Sequence, residues 1–113
     1  MKLHELIESL EAKLRAIALY EQNFAGVLVT NNIVLRYHSG FVHIIKGRNS
    51  NPDTAIIVDL PKATMFSPFS AGVIKKDLHG GFGLMPVEIN FRDAIEHERY
   101  RLNEMLEMLK GIN

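Results

Sequence analysis

The chain begins and ends with segments in which apolar residues recur every three or four positions, the period of an α-helix. The apolar positions of the first segment, residues 2–22, are Leu3, Leu6, Ile7, Leu10, Leu14 and Ile17. Those of the last segment are Ile95, Leu102, Met105, Leu106 and Leu109. Asn90 can cap the start of this last helix, and Gly111 is placed where a helix commonly ends. The pattern therefore predicts a long helix at each end of the chain.

Between these segments the apolar period changes to two, which is typical of β-strands. The strand-like segments are residues 25–30, 33–38, 41–46 and 54–60. Asn31-Asn32 and Ser39-Gly40 are predicted to be tight turns, because asparagine and glycine adopt the backbone conformations that such turns require. Gly47 to Asp53 is a polar loop. The pattern predicts an antiparallel meander of about four strands.

A two-residue turn at Ser39-Gly40 places Tyr37 opposite Val42 and assigns the side chains to two faces. The predicted core face carries Leu28, Ile33, Leu35, Tyr37, Val42 and Ile44. The second face carries Val27, Val29, Val34, Arg36, His38, Phe41, His43 and Ile45. This second face is too apolar to be fully hydrated, so we expect a loop, a helix or another subunit to cover it.

The segment from Pro61 to Pro86 follows neither period. It contains three prolines and four glycines, together with a strongly apolar stretch from Met65 to Leu84. We expect a long Pro/Gly-rich loop before the last helix, and long ordered loops in compact domains are usually functional. The predicted fold is a single α+β domain, residues 1–113, in which the sheet is flanked by the N-terminal and C-terminal helices.

Composition narrows the class of protein. The chain is 47% hydrophobic and 23% charged, which indicates a globular protein and not a disordered one. Thirteen basic residues balance thirteen acidic ones, and this balance argues against nucleic acid as a partner. There is no cysteine, no signal-peptide core and no apolar run long enough for a membrane span. We therefore expect a cytoplasmic protein without a membrane partner.

Two clusters could hold an anionic ligand. Arg36, His38 and His43 share the second face of the predicted sheet, and guanidinium and imidazole groups donate to phosphate or carboxylate. The alternative is an ordinary polar patch on a partly covered sheet. No metal site is predicted there, because a third ligand is missing and an arginine repels a cation.

The second cluster lies in the Pro61–Pro86 segment and comprises Lys75, Lys76, His79, Gly80, Gly81 and Phe82. Glycines let backbone N–H groups approach a phosphate, and the two lysines could neutralise its charge. The sequence does not match the Gly-x-x-x-x-Gly-Lys-Ser/Thr motif, and a simple glycine turn is the alternative.

Evidence for catalysis in the sequence is weak. Asp77 and His79 could form an acid–base pair beside Ser67 or Ser70, but neither serine lies in a Gly-x-Ser-x-Gly motif. No catalytic residue and no cofactor is predicted. We expect a non-catalytic, homo-oligomeric binding module that recognises a protein partner through residues 61–86. The alternatives are binding of a phosphate-bearing, nucleotide-like small ligand through Lys75, Lys76 and Gly80–Gly83, and a small hydrolase or transferase.

Overall fold

The computed structural model describes residues 2–23, 31–38, 40–82 and 85–111. The helices are α1 (Leu3–Asn23), α2 (Pro68–Phe82) and α3 (Phe91–Lys110), with a short 3-10 turn at Leu60–Lys62. The strands are β1 (Ile33–Tyr37), β2 (Gly40–Ile45), β3 (Thr54–Val58) and β4 (Val87–Asn90). The α+β class is therefore confirmed. The chain divides into two compact units, residues 1–27 with 95–113 and residues 28–94, and the single-domain expectation stays a prediction.

The helical unit confirms part of each terminal stripe, although Met105 of the predicted second stripe is exposed. Its buried side chains are Leu10, Ile17 and Tyr20 from α1, and Ile95, Leu102 and Leu106 from α3. Arg99 on α3 lies 2.9 Å from a carboxylate oxygen of Glu21 on α1 and 2.9 Å from one of Glu96. An ion pair at the surface therefore links the two helices, each of which buries part of its apolar stripe.

The second unit contains the sheet, whose strands follow the order β3-β2-β1-β4 and are all antiparallel. Three of the predicted strands are confirmed, and the predicted strand at residues 25–30 lies outside the described residues. Strand β4 was not predicted. It has only four residues and continues directly into α3, so no turn signal marks it. Asn90 ends β4 and caps α3 as expected, because its side-chain oxygen accepts the N–H of Arg92 at 2.9 Å.

The register of the first hairpin differs from the prediction, but the faces do not. Tyr37 pairs with Gly40 and Arg36 with Phe41, so Gly40 is a strand residue and not a turn residue. His38 follows β1 with a positive φ of 57°. The pairing is shifted by two residues, and a shift of two keeps every side chain on its face. Leu35 and Val42 are accordingly fully buried on the predicted core face.

The segment from Pro61 to Pro86 is not an irregular loop, because residues 68–82 form α2. Ser67 caps this helix: its hydroxyl oxygen accepts the N–H of Ser70 at 3.1 Å, and its carbonyl accepts that of Ala71 at 2.8 Å. Pro68 suits the first helical position, where no backbone donor is needed. Ala71, Ile74 and Leu78 then pack in the cluster that contains Leu35 and Val42. Helix α2 thus covers the core face, whereas the loop was expected as one possible cover of the second face.

A short segment, residues 64–66, bonds to both β1 and β2. The β1–β2 ladder is confined to the residues nearest the turn. Farther from the turn, the N–H of Thr64 donates to Val42 at 3.1 Å, and its hydroxyl oxygen accepts the N–H of Ile44 at 2.9 Å. Phe66 exchanges two hydrogen bonds with Ile33, of 2.9 and 2.7 Å. This segment therefore satisfies strand groups that the hairpin itself leaves unpaired.

Replacing Thr64 by valine should destabilise the fold by about 1–3 kcal/mol, because the partly buried N–H of Ile44 would lose its acceptor. Thr64→Ser retains the hydroxyl and is the matched control, with a smaller expected loss. Chemical denaturation of both variants measures the difference. Equal stabilities for the two variants would show that the hydroxyl contributes nothing.

Gly47 should not tolerate a side chain. A Cβ there would lie 2.6 Å from the carbonyl oxygen of Pro52 and closer still to that of Asn51. Gly47→Ala should therefore destabilise by more than about 1 kcal/mol, since the backbone must move. Gly72→Ala is the control: no atom lies within 4 Å of its Cβ position, and alanine favours helix, so stability should hold or rise. Thermal melting of both variants tests this contrast.

Candidate functional site

One side of α2 faces away from the sheet and is largely apolar. Phe69, Gly72, Val73 and Lys76 are spaced three and four residues apart, so they share one side of the helix. We call these four residues the outer stripe. Phe69 is 82% exposed and Val73 is 45% exposed. Because the opposite side of α2 is packed on the sheet, this helix is apolar on two sides.

An open pocket of about 560 Å³ lies beside α2, where Ser70 and Asp77, the sequence neighbours of Phe69 and Lys76, line it. Its apolar lining comes from Ile44, Ala55, Met65, Phe66, Ile74 and Leu78. Its polar lining comes from Asn31, Lys46, Asp53, Thr54, Thr64, Ser67, Ser70 and Asp77. The volume lies in the range of small-molecule sites, and an apolar interior with a few polar groups is their usual composition.

Asp53 is the carboxylate of this pocket whose surroundings are best defined. One of its oxygens accepts the N–H of Gly47 at 2.8 Å, and the other lies 3.2 Å from the ammonium group of Lys46. The hydrogen bond from Gly47, followed by that from Lys46, holds the pKa of Asp53 below its usual value. Asp53 therefore remains ionised through the neutral range, and Lys46 offsets its charge.

The pKa of Asp53, followed by NMR, should lie below that of an unperturbed aspartate. Lys46→Ala should raise the pKa only in part, because the larger contribution comes from the Gly47 N–H. A lowered folded-state pKa stabilises the fold above the unfolded pKa, and this contribution is lost as pH falls through the folded pKa. An unshifted pKa in the parent protein would mean that this loop is open in solution.

The two lysines predicted to bind an anion have different surroundings. The ammonium group of Lys75 lies 2.6 Å from a carboxylate oxygen of Glu88, so this lysine links α2 to β4. Lys76 is exposed and belongs to the outer stripe. An anion at Lys75 must therefore compete with Glu88, while Lys76 remains open to a partner.

The other residues of that cluster, His79, Gly80, Gly81 and Phe82, form the last turn of α2 and not a glycine loop. Their side chains lie outside the described part of the structure, and Gly83 is outside it altogether. Their role in binding stays a prediction.

The cluster of Arg36, His38 and His43 is only partly assembled. Arg36 and His38 line one shallow recess of about 290 Å³, together with Tyr37, Met85 and Val87. The ring of His38 meets that of Tyr37 edge-on, with centroids 4.5 Å apart. His43 is not part of this recess, and its Nδ1 lies 3.2 Å from the hydroxyl of Thr64. Whether these residues bind an anion stays a prediction.

The described residues contain no group of three or more histidine, aspartate or glutamate side chains that could hold a metal ion. In the same part of the chain, no helix is both long and apolar enough to cross a membrane. Of the residues considered for catalysis, Ser67 caps α2, while Ser70 and Asp77 line the pocket.

Comparison of the chain with models of protein families, with curated proteins and with solved structures finds no match.

Sequence reasoning missed the outer stripe because glycine and proline masked the helical period of α2. Two signals in the sequence indicate the helix α2 that carries this stripe. Ser67-Pro68 is a cap followed by the residue favoured at the first helical position, and no proline follows until Pro86. The positions Ala71, Ile74 and Leu78 also carry the three-and-four spacing of a buried helix face.

Proposed function

We propose that the chain is a small, non-catalytic protein-interaction module, that it acts as a homo-oligomer, and that the outer stripe recognises a protein partner. The observation that supports this most is Phe69, an aromatic side chain 82% exposed on a helix whose other side is packed. Buried aromatic anchors dominate the energetics of many protein interfaces. The absence of cysteine supports a cytoplasmic location.

The outer stripe favours a particular partner chemistry. Phe69 and Val73 supply apolar area, and Gly72 leaves open space beside them, since no atom lies within 4 Å of its Cβ position. A side chain of the partner can therefore approach the helix backbone closely. Lys76 continues the stripe and complements a carboxylate. We propose that the partner is a protein segment with an apolar anchor and an acidic residue about one helical turn away.

The neighbouring pocket supports the same assignment. Ser70 and Asp77 line it from the flank of α2, so the pocket and the outer stripe are adjacent. Its apolar interior can receive a second side chain of the partner, which enlarges the contact beyond four residues. Lys46 offsets the charge of Asp53, so Asp77 gives the lining an excess negative charge, which favours an apolar or cationic group over an anionic one.

Photo-crosslinking from the outer stripe tests this proposal. A photoreactive phenylalanine analogue at Phe69 should link to a partner protein, whereas the same analogue at Tyr100, which is 69% exposed on α3, should not. With that partner purified, Phe69→Ser should weaken its affinity at least about 30-fold, the effect of losing an interface anchor. The melting temperature should stay nearly constant, because Phe69 contributes little to the folded core.

Leu19→Ser, at a position 62% exposed on α1, is the matched control and should bind as the parent does. Equal affinity of the parent and Phe69→Ser would contradict recognition through the outer stripe. The small-ligand alternative would instead be supported if the double variant Lys75→Ala/Lys76→Ala no longer bound a phosphate-bearing ligand while Phe69→Ser bound it as the parent does.

A further inference from the structure

We infer that β3 pairs in antiparallel fashion with β3 of a second copy of the chain, so that one sheet runs through both copies. This inference rests on the homo-oligomer that the proposed function includes, and it specifies the surface that forms it. Strand β3 lies at the end of the strand order, and no described strand lies beyond it.

The hydrogen bonds of β2 show which groups of β3 point outward. The carbonyl of Val42 and the N–H of Ile44 bond to Thr64, on the β1 side of β2. Alternate residues of a strand direct their backbone groups to opposite sides. Phe41, His43 and Ile45 therefore direct their backbone groups towards β3. Their partners there are Val58, Ile56 and Thr54. It follows that Ala55 and Ile57 direct their N–H and C=O groups to the open edge.

This edge lacks the features that normally protect one. Strand β3 reads Thr-Ala-Ile-Ile-Val, without a charge or a proline, and its pairing with β2 runs residue for residue without a bulge. Ile56 is 40% exposed on one face of the sheet and Ile57 is 44% exposed on the other. Edge strands of this kind are ready to pair with another strand.

The opposite edge of the same sheet provides the contrast. Strand β4 is one residue shorter than β3, follows Pro86 and carries Glu88, which is bound by Lys75. A short strand with a charge and a neighbouring proline has the usual protection against pairing. The difference between the two edges points to β3 as the one that meets a second copy.

Symmetry selects the register. Placing Ile56 opposite Ile56 of the second copy puts Ala55 opposite Ile57 and Thr54 opposite Val58 in both directions. The outward groups of Ala55 and Ile57 then meet each other and form about four hydrogen bonds across the two-fold axis. On the face of the sheet that α2 covers, the small side chain of Ala55 lies opposite the large side chain of Ile57 from the other copy. On the other face, β-branched side chains pair with each other.

The charges at the ends of this register balance. Asp59 of one copy comes opposite Asp53 of the other, and Asp53 already has Lys46 as its partner. Lys62 lines the same recess as Asp59, so that recess also contains a cation. The whole chain has no net charge, so long-range repulsion does not oppose the approach of two copies.

Cysteine cross-linking tests the register directly, because the chain has no cysteine of its own. In the proposed pairing, the two copies of residue 56 form a non-hydrogen-bonded pair with Cα atoms about 4.5 Å apart, a separation that a disulfide can span. Ile56→Cys should therefore form a covalent dimer under mild oxidation. Val73→Cys, at a position of similar exposure on α2, is the control and should remain reduced.

Ile57→Pro removes an outward N–H without touching the β2–β3 ladder, and proline is tolerated at such positions. It should weaken the dimer at least about tenfold in sedimentation experiments, whereas Ile57→Val should not. In the parent protein, hydrogen exchange at the amide of Ala55 should slow at least about tenfold as concentration rises through the dimerisation range. If Ile57→Pro fails to fold, the disulfide and the Ala55 amide still decide the question.

The outcomes separate this inference from the proposed function. A dimeric parent in which Val73→Cys cross-links and Ile56→Cys does not would overturn pairing through β3 but leave the homo-oligomer intact. A parent that sediments as a monomer at tens of micromolar would overturn both. A Val73 cross-link would place the second copy on the outer stripe itself, whereas a monomeric parent leaves recognition of a protein partner there untouched. The Phe69 experiment tests that recognition separately.

Discussion

The sheet unit depends on the hydrogen bonds that residues 64–66 make to both strands of the first hairpin. Thr64 satisfies backbone groups of Val42 and Ile44, and Phe66 satisfies those of Ile33. Without these bonds, partly buried backbone groups would lack partners, at a cost of about 1–3 kcal/mol for each unsatisfied group. The same segment ends at Ser67, the cap of α2. The bonds that complete the sheet therefore also set where the helix begins.

This arrangement explains how one helix can present both a packed and an apolar exposed side. Once the chain leaves the sheet at Phe66, α2 must pass over the face that carries Leu35 and Val42, and Ala71, Ile74 and Leu78 are the residues that meet it. Phe69 and Val73 then lie on the other side by the geometry of the helix alone. Fully burying a side chain such as phenylalanine contributes about 1.5–3 kcal/mol, and that stabilisation is available only to a partner.

The sequence predicted those features that depend on periodicity. The helices α1 and α3 have long apolar stripes, and their limits were right to within a few residues. Asn90 and Gly111 mark the limits of α3, whereas those of α1 followed from its apolar period alone. The sheet faces were right although the hairpin register was not, since a shift of two residues preserves the alternation of side chains. A turn that contains His38 at positive φ was missed because glycine is the more usual residue there.

The candidate site was less accessible to sequence reasoning. Gly72, Gly80 and Gly81 lower the helix propensity of residues 68–82, so composition indicated a loop where tertiary packing favours a helix. The pocket depends on residues far apart in sequence, such as Asp53 and Asp77, which line one pocket because α2 packs on the same face of the sheet. No local sequence pattern predicts that two such distant residues line the same pocket. The residue types at this site could be read from the sequence, but their arrangement could not.

The two proposed contacts use different parts of the same unit and are compatible. The outer stripe lies on α2, whereas the open edge of β3 directs its hydrogen bonds along the sheet. Pairing through β3 would give each dimer two outer stripes related by a two-fold axis. A partner with two copies of the recognised segment would then bind at both, and the second binding event would be intramolecular. Modest affinity at a single aromatic anchor can in this way become strong binding, without additional contacts at either site.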